Sequence, residues 1–330
     1  VDMPAPDCVF IGGSGGNLCK MLDIIYTKNS DCRVVINAIT LETLIEVVEY
    51  YKTRSEYDLE IVNVFAARGK KLGAYNLMMA QNPVYIKRVS KMSEMFLPRF
   101  MIAAPNSGSG KTTVVCALLK ALLDQEYKVA AFKSGPDYID PMFHSRVIGA
   151  KSRNLDLFML GRETTKYLLA KNACDCDIAV LEGAMGFYDG MGKTEQCSAY
   201  DLARVTKTPV ILVINGKGAA LSLAALIKGF KEFRPDANVR GAILNNVTAM
   251  SYKFYKEVIE LETGVKLVGY LPHMDDCNFE SRHLGLVTAE EIGDLQEIIS
   301  RLAEQAAKTI DFDELLGIAN SAEDLVYEEQ

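Results

Sequence analysis

Six short apolar runs recur along the chain after residue 97. Each is nearly continuous in Val, Ile, Leu, Ala, Met or Phe, a composition typical of strands that are buried on both faces of a sheet. Helical stretches alternate with them. This alternation predicts a parallel α/β domain. The predicted strands are 100–104, 129–133, 178–182, 210–214, 242–244 and 267–270.

The chain before residue 92 shows a shorter version of the same alternation. Apolar runs at 8–11 and 33–37 predict two strands, with a helix from Asn17 between them. Thr40 is placed to cap a second helix. The apolar side chains of that helix share one face; they are Leu41, Leu44, Ile45 and Val48. Two further strands are predicted at 59–65 and 83–87, so this part is expected to end in β structure.

A polar stretch at 88–98 separates the two patterns and predicts a domain boundary. The first part is predicted to span 1–92 and the second to span 97–308. Beyond Lys308 the chain is acidic. We therefore predict a short helix and an acidic tail or linker at 309–330.

The sequence APNSGSGKTT at 104–113 lies between a predicted strand and a predicted helix, which is where a Walker A loop belongs. Its glycines let successive backbone N–H groups face phosphate oxygens. Lys111 is expected to reach the β and γ phosphates, and the Thr112 hydroxyl to bind Mg²⁺. Pro105 stands where the usual pattern has its first Gly, so the loop is a variant. The predicted ATP-binding residues of the loop are Ser107, Gly108, Ser109, Gly110, Lys111, Thr112 and Thr113.

Two more polar clusters follow predicted strands. SGPDYIDP comes directly after Lys133, and GAMGFYDG comes directly after Glu182. Strand carboxyl ends line the ligand crevice of an open parallel sheet. A single Asp in such a place more often caps a helix or forms a turn. Several carboxylates together beside a phosphate loop favour binding of Mg²⁺ and substrate.

Composition limits the possible partners. The net charge of −7 does not favour broad contact with nucleic acid. No apolar run approaches the length that a membrane span needs. The eight Cys are scattered, which favours free thiols in a reducing cytoplasm.

Several segments after residue 100 occur together in one known family. The chain resembles the cobyrinic acid a,c-diamide synthases, whose ATP-binding half is a P-loop fold similar to dethiobiotin synthetase. The resemblance implies ATP- and Mg²⁺-dependent amidation of two carboxylates of a corrin, through an acyl phosphate. It is carried by KSGPDYIDPMFH (133–144), RNLD (153–156), EGAMGFYDG (182–190), GAILNNV (241–247), GYLP (269–272) and SRHLGL (281–286).

The same resemblance implies roles for particular residues. Lys111, Lys133 and Asp140 are expected to be catalytic, and Asn245 to bind adenine, although Asn245 could equally be a strand-end turn residue. Arg282 is expected to contact substrate or phosphate anions. The implied metal ligands are Thr112, Asp137, Asp140 and Glu182. The implied substrate contacts are Tyr138, Ile139, Asp189 and Arg282.

The first part resembles the C-terminal half of the decarboxylating precorrin methyltransferases. PDCVFIGGSGGN (6–17), NAITLET (37–43) and AQNPVYI (80–86) carry the likeness. The S-adenosylmethionine loop lies earlier in that family's fold. A partial Rossmann-like segment leaves a sheet edge and one face uncovered. We therefore expect 1–92 to have no methyltransferase activity and not to bind S-adenosylmethionine in a calorimetric titration.

Other functions and partners stay open at this point. A glutamine amidotransferase domain or chain is expected to supply ammonia, because none of the eight Cys lies in a Gly-x-Cys-x-Gly turn. A homodimer is a further expectation. A related synthase acting on hydrogenobyrinate or nickel sirohydrochlorin is one alternative. A nucleotide-switch ATPase is another, although the second Lys of that class is missing from 105–107.

Overall fold

A computed structural model describes residues 4–72, 75–80, 84–137, 139–274, 277 and 289–329. The chain divides into two compact units. The first consists of 1–94 together with 326–330, and the second of 95–325. No helix in the described part of the chain is both long enough and apolar enough to cross a membrane.

The first unit is built on a five-stranded mixed sheet. Its elements are β1 Cys8–Ile11, α1 Leu18–Lys28, β2 Arg33–Ala38, α2 Leu41–Tyr51, β3 Tyr57–Val64, β4 Ala67–Leu72, β5 Tyr75–Ala80, β6 Val84–Met95 and β14 Leu325–Glu328. β1 and β2 are parallel, and β2 and β3 each pair with β6 in antiparallel register. β14 also joins β6, while β4 and β5 form a separate hairpin. The strands expected at 59–65 and 83–87 are therefore confirmed as β3 and as the start of β6.

Helix α2 begins as the sequence predicts but buries its other face. The backbone N–H of Thr43 donates to Oγ1 of Thr40 at 3.2 Å, so Thr40 is the N-cap. The inward side chains are Val47, Tyr50 and Tyr51. The predicted apolar stripe faces solvent instead: Leu41 is 63% exposed and Ile45 is 60% exposed.

The open edge expected of a half-domain is present in the first unit. Among the described residues, β1 pairs only with β2. Phe10 on β1 is 67% exposed. Further apolar side chains of this unit lie in solvent; they include Ile39, Val62, Val64 and Phe65. In the described part of the first unit, β1 is therefore an edge strand and several apolar side chains are exposed.

The second unit is built on a seven-stranded sheet in the order β13-β12-β11-β7-β10-β8-β9. Its elements are β7 Arg99–Ala103, α3 Lys111–Asp124, β8 Val129–Ser134, α4 Ile139–Phe143, a π-helical turn His144–Ile148, β9 Lys151–Leu155, α5 Leu157–Ala173, β10 Ile178–Glu182, α6 Ala199–Val205, β11 Val210–Asn215, α7 Ser222–Glu232, β12 Val239–Asn245, α8 Ala249–Thr263, β13 Lys266–Leu271, α9 Ala289–Thr309 and α10 Phe312–Asn320. Every adjacent pair of strands is parallel. All six predicted strands are present, which confirms the parallel α/β prediction.

This sheet is covered by helices, with a core of aliphatic and Phe side chains. The central strands β7, β8 and β10 are buried along their whole length. Helices α3 and α9 pack against each other, and α3 also lies against β7, β8 and β10. Because the strands are parallel, their carboxyl ends and the loops that follow lie at one edge of the sheet.

The short helix predicted after Lys308 is present as α10. Asp311 caps α10 by accepting the N–H of Glu314 at 3.0 Å. Leu315 and Ala319 on this helix are fully buried, and α10 packs against β7, β12 and β13. The apolar face of the helix therefore belongs to the core of the second unit.

Candidate active site

The phosphate-type loop joins β7 to α3 and is held by two left-handed glycines. Gly108 has φ of 79° and Gly110 has φ of 93°. A Cβ on Gly110 would overlap Nδ2 of Asn245. That same Nδ2 donates a hydrogen bond to the carbonyl of Ser109 at 3.1 Å. Asn245 at the end of β12 therefore clamps the loop, and only glycine fits at position 110.

Lys111 is the first residue of α3 and its side chain is nearly buried. Its ammonium donates to the carbonyl of Met185 at 2.6 Å and to that of Asn106 at 3.2 Å. Met185 has a positive φ of 48°, which is unusual for a residue with a side chain. Burial lowers the pKa of Lys111, and the neighbouring Lys133 lowers it further. The positive charge of Lys111 is therefore held by two neutral carbonyl groups, in a position to bind an anionic ligand.

Lys133 at the end of β8 joins the two carboxylates of the site. Its Nζ lies 2.6 Å from Oδ2 of Asp140 and 2.9 Å from Oε1 of Glu182. Burial by itself would lower the pKa of Lys133, but Glu182 and Asp140 raise it above its ordinary value. The strand order explains this meeting, because β10, which carries Glu182, lies directly beside β8.

The oxygen donors of the site suit a hard divalent cation. Oγ1 of Thr112 donates to Oε1 of Glu182 at 2.7 Å, and Asp140 lies on the other side of Lys133. Mg²⁺ typically binds through one or two carboxylates with nucleotide phosphates and water. Among the described residues no group of three or more His, Cys, Asp or Glu could hold a metal by itself. The donor set therefore fits a cation that arrives with phosphate.

These groups line one cleft of 440 Å³ at the carboxyl edge of the sheet. Ser107, Gly108, Gly110 and Thr113 of the loop line it with Lys111 and Thr112. The ends of β12 and β13 and residues after them also line the cleft. These residues are Asn245, Asn246, Leu271, Pro272, His273, Met274 and Cys277. Ser109, also in the loop, is buried, and its hydroxyl donates to the carbonyl of Asn106 at 3.1 Å.

The remaining predicted site residues are placed as follows. Oδ1 of Asp137 accepts the N–H of Asp140 at 3.3 Å, at the start of α4. Oδ2 of Asp189 accepts the N–H of Gly186 at 3.0 Å and so closes the turn after β10. Ile139 begins α4, but its side chain, like Tyr138 and Arg282, lies outside the described residues.

Two residues of the site had no signal of their own in the sequence analysis. The carbonyl of Met185 contacts Lys111, and a backbone contact of this kind leaves no side-chain pattern to find. Nε2 of His144 lies 3.5 Å from Oε2 of Glu182. Asp140 and His144 are four residues apart, a spacing that places both side chains on one face when the segment is helical.

Two family models match the chain. Residues 100–286, more than half of the chain, match the CobQ/CobB/MinD/ParA nucleotide binding domain. Residues 1–91 match the precorrin methyltransferase domain. The second match begins and ends within the first structural unit.

Named relatives match about two thirds of the chain. A cobyrinate a,c-diamide synthase of Thermoplasma volcanium is 45% identical over 70% of this chain and 50% of its own length. One of Fusobacterium nucleatum is 43% identical over 67% of this chain and 49% of its own. The chain therefore spans about half the length of the curated relatives it matches.

A solved structure of a methyltransferase matches a shorter part of the chain. It is the precorrin-6y C5,15-methyltransferase of Geobacter metallireducens, 41% identical over 27% of this chain and 48% of that chain, with a TM-score of 0.25.

Proposed function

The chain belongs to the CobQ/CobB/MinD/ParA family of nucleotide-binding domains, and we propose that residues 95–325 amidate carboxylates of cobyrinic acid with ATP. The observation that carries the proposal is the convergence of Lys111, Thr112, Lys133, Asp140 and Glu182 in one cleft. The relatives called cobyrinate a,c-diamide synthases support the choice of substrate.

In the proposed reaction, ATP activates the carboxylate and ammonia replaces the phosphate. A carboxylate oxygen of the corrin attacks the γ-phosphorus and ADP leaves. Ammonia then attacks the acyl carbon, inorganic phosphate leaves, and the amide keeps two of the ammonia protons. Phosphoryl transfer of this kind depends mainly on positioning and on neutralising charge.

Each protein group has a distinct part in that scheme. Lys111 gives up its carbonyl partners for the β and γ phosphate oxygens. Lys133 stays charged between Asp140 and Glu182 and faces the transferring phosphoryl group. Bound Mg²⁺ would be held by Thr112, Asp140, Glu182 and Asp137, and would neutralise charge on the phosphates. Asn245 keeps its loop contact through Nδ2, which leaves Oδ1 for the proposed adenine contact.

We propose that Tyr138, Ile139, Asp189 and Arg282 border the corrin, and that ammonia comes from a glutamine amidotransferase domain or chain. Among the alternatives, the relatives' names favour cobyrinate over hydrogenobyrinate or nickel sirohydrochlorin. A cytoplasmic location and a homodimer complete the proposal.

The decisive experiment incubates the protein with cobyrinic acid, Mg-ATP and ammonium, and weighs the corrin by mass spectrometry. We expect the mass change of one or two carboxyl-to-amide conversions. Lys111→Ala should abolish it. Lys120→Ala, an exposed change on the same helix outside the cleft, should not. ATP hydrolysis that is indifferent to every corrin tested would contradict the proposal.

A further inference from the structure

Glu182 has one oxygen that the site uses and one that it does not. Oε1 accepts from the Thr112 hydroxyl at 2.7 Å and lies 2.9 Å from Nζ of Lys133. Oε2 is buried and has no hydrogen-bond partner among the described residues. An unpaired carboxylate oxygen inside a protein is costly, so the group facing it matters.

The group facing that oxygen is the imidazole of His144. Its Nε2 lies 3.5 Å from Oε2, and this nitrogen also has no hydrogen-bond partner in the described part of the chain. The side chains of both residues are fully buried. Two orphaned polar atoms that face each other need only a small approach to form an N–H···O bond.

The contact of the other ring nitrogen with Ser152 is compatible with the tautomer that this bond requires. Oγ of Ser152 on β9 lies 3.4 Å from Nδ1 of His144. When the Ser152 hydroxyl donates to Nδ1, the ring proton sits on Nε2 and points at Glu182.

The backbone conformation at His144 also supports a functional role for this residue. His144 opens the single π-helical turn that follows α4, and such turns are uncommon and frequent at functional sites. The turn directs the ring under the carboxylate, while Asp140, one helical turn earlier, reaches Lys133.

We infer that His144 is a positioning residue, which holds Oε2 of Glu182 so that Oε1 stays directed at Thr112 and the Mg²⁺-ATP position. The inference rests on the Mg²⁺-ATP part of the proposed function and not on the identity of the corrin. Partners of this kind, one step removed from a metal, typically alter metal affinity by ~10–100-fold when they are removed.

Mn²⁺ serves as a spectroscopic substitute for Mg²⁺ in the test. Its binding is measured by electron paramagnetic resonance in the presence of adenylyl imidodiphosphate. His144→Leu removes the donor at similar volume, and we expect it to weaken Mn²⁺ binding by ~10-fold or more. His144→Gln carries an amide N–H near the position of Nε2 and should recover most of that affinity. Thr165→Val, a buried polar change outside the cleft, is the matched control.

Ser152→Ala keeps the ring and removes only the group that selects its tautomer, so it covers the case in which His144→Leu does not fold. It should weaken Mn²⁺ binding in the same direction by a smaller factor. Wild-type Mn²⁺ affinity in His144→Leu would overturn the inference, and so would wild-type affinity in Ser152→Ala should the Leu variant not fold. A Gln variant that binds Mn²⁺ no better than the Leu variant would also overturn it. Wild-type protein that binds Mn²⁺ and nucleotide but never amidates a corrin would contradict the proposed function and leave this inference standing.

Discussion

Gly110 is the point at which the phosphate-type loop lies closest to β12. Its left-handed φ of 93° and the neighbouring amide of Asn245 both exclude a side chain. Forcing a residue with a Cβ into such a conformation costs about 1–3 kcal/mol before any overlap is counted.

We therefore expect Gly110→Ala to lower the free energy of unfolding by at least that amount and to abolish nucleotide binding. Urea denaturation and calorimetry with ATP would measure the two effects. Gly229→Ala is a suitable control, because a Cβ there meets open space on helix α7. Normal ATP binding by the Gly110→Ala variant would show that this loop does not bind the nucleotide.

Lys133 offers a second test at the scale of one residue. Lys133→Met leaves Asp140 and Glu182 without their shared cation. Breaking a buried ion pair on one side costs about 3–5 kcal/mol, so we expect a loss of that size in urea denaturation at neutral pH. Lys120→Met on the surface is the control.

The pH dependence of that loss has a definite sign. The carboxylates raise the pKa of Lys133 above its unfolded value. The contribution of the charged form is therefore complete below the unfolded pKa and disappears as the pH rises through the folded pKa. The difference between wild type and Lys133→Met should persist through neutral pH and shrink only in strong alkali. A difference that grows with alkaline pH would contradict this assignment.

At the scale of elements, α10 belongs to the core of the second unit. Leu315 is fully buried against the sheet, and its neighbour Leu316 is only partly buried. Leu315→Ala should cost about 2–5 kcal/mol of unfolding free energy, as buried Leu truncations do. Leu316→Ala should cost clearly less. If chemical denaturation showed that both variants lose equally little unfolding free energy, this segment would instead be the solvated linker that its acidic composition suggested.

Neither β9 nor the hairpin of β4 and β5 was predicted from the sequence, because polar residues interrupt their apolar pattern. β9 reads Lys-Ser-Arg-Asn-Leu and forms an edge strand, where one side needs no apolar burial. The hairpin of β4 and β5 carries the polar run Arg68 to Lys71. Helix α2 has apolar side chains around most of its circumference, so periodicity alone could not say which face packs.

At the scale of the whole molecule, net charge opposes binding of the proposed corrin substrate. The chain carries −7, and a corrin polycarboxylate is also anionic. Binding must then depend on local cations, of which Lys111 and Lys133 line the cleft.

The source of ammonia is a further prediction at this scale. A glutaminase needs a nucleophilic thiolate, but none of the eight Cys lies in a Gly-x-Cys-x-Gly turn. Burial also raises the pKa of Cys32 and Cys116. We expect ammonium to support amidation by this chain, and glutamine to do so only when a separate glutaminase is added. Release of glutamate from glutamine by the purified chain alone would contradict the prediction.

The sequence by itself determined the alternation of strands and helices, the phosphate-type loop and the polar clusters after β8 and β10. It could do so because these features depend on local periodicity and because parallel strands bring their carboxyl ends to one edge. Only the tertiary structure decided which polar atoms meet. Lys133 contacts Glu182 and His144 faces Glu182 because β10 inserts between β7 and β8. Asn245 reaches Ser109 from the other side of β7, where β11 alone separates β12 from β7. No local pattern encodes this strand order.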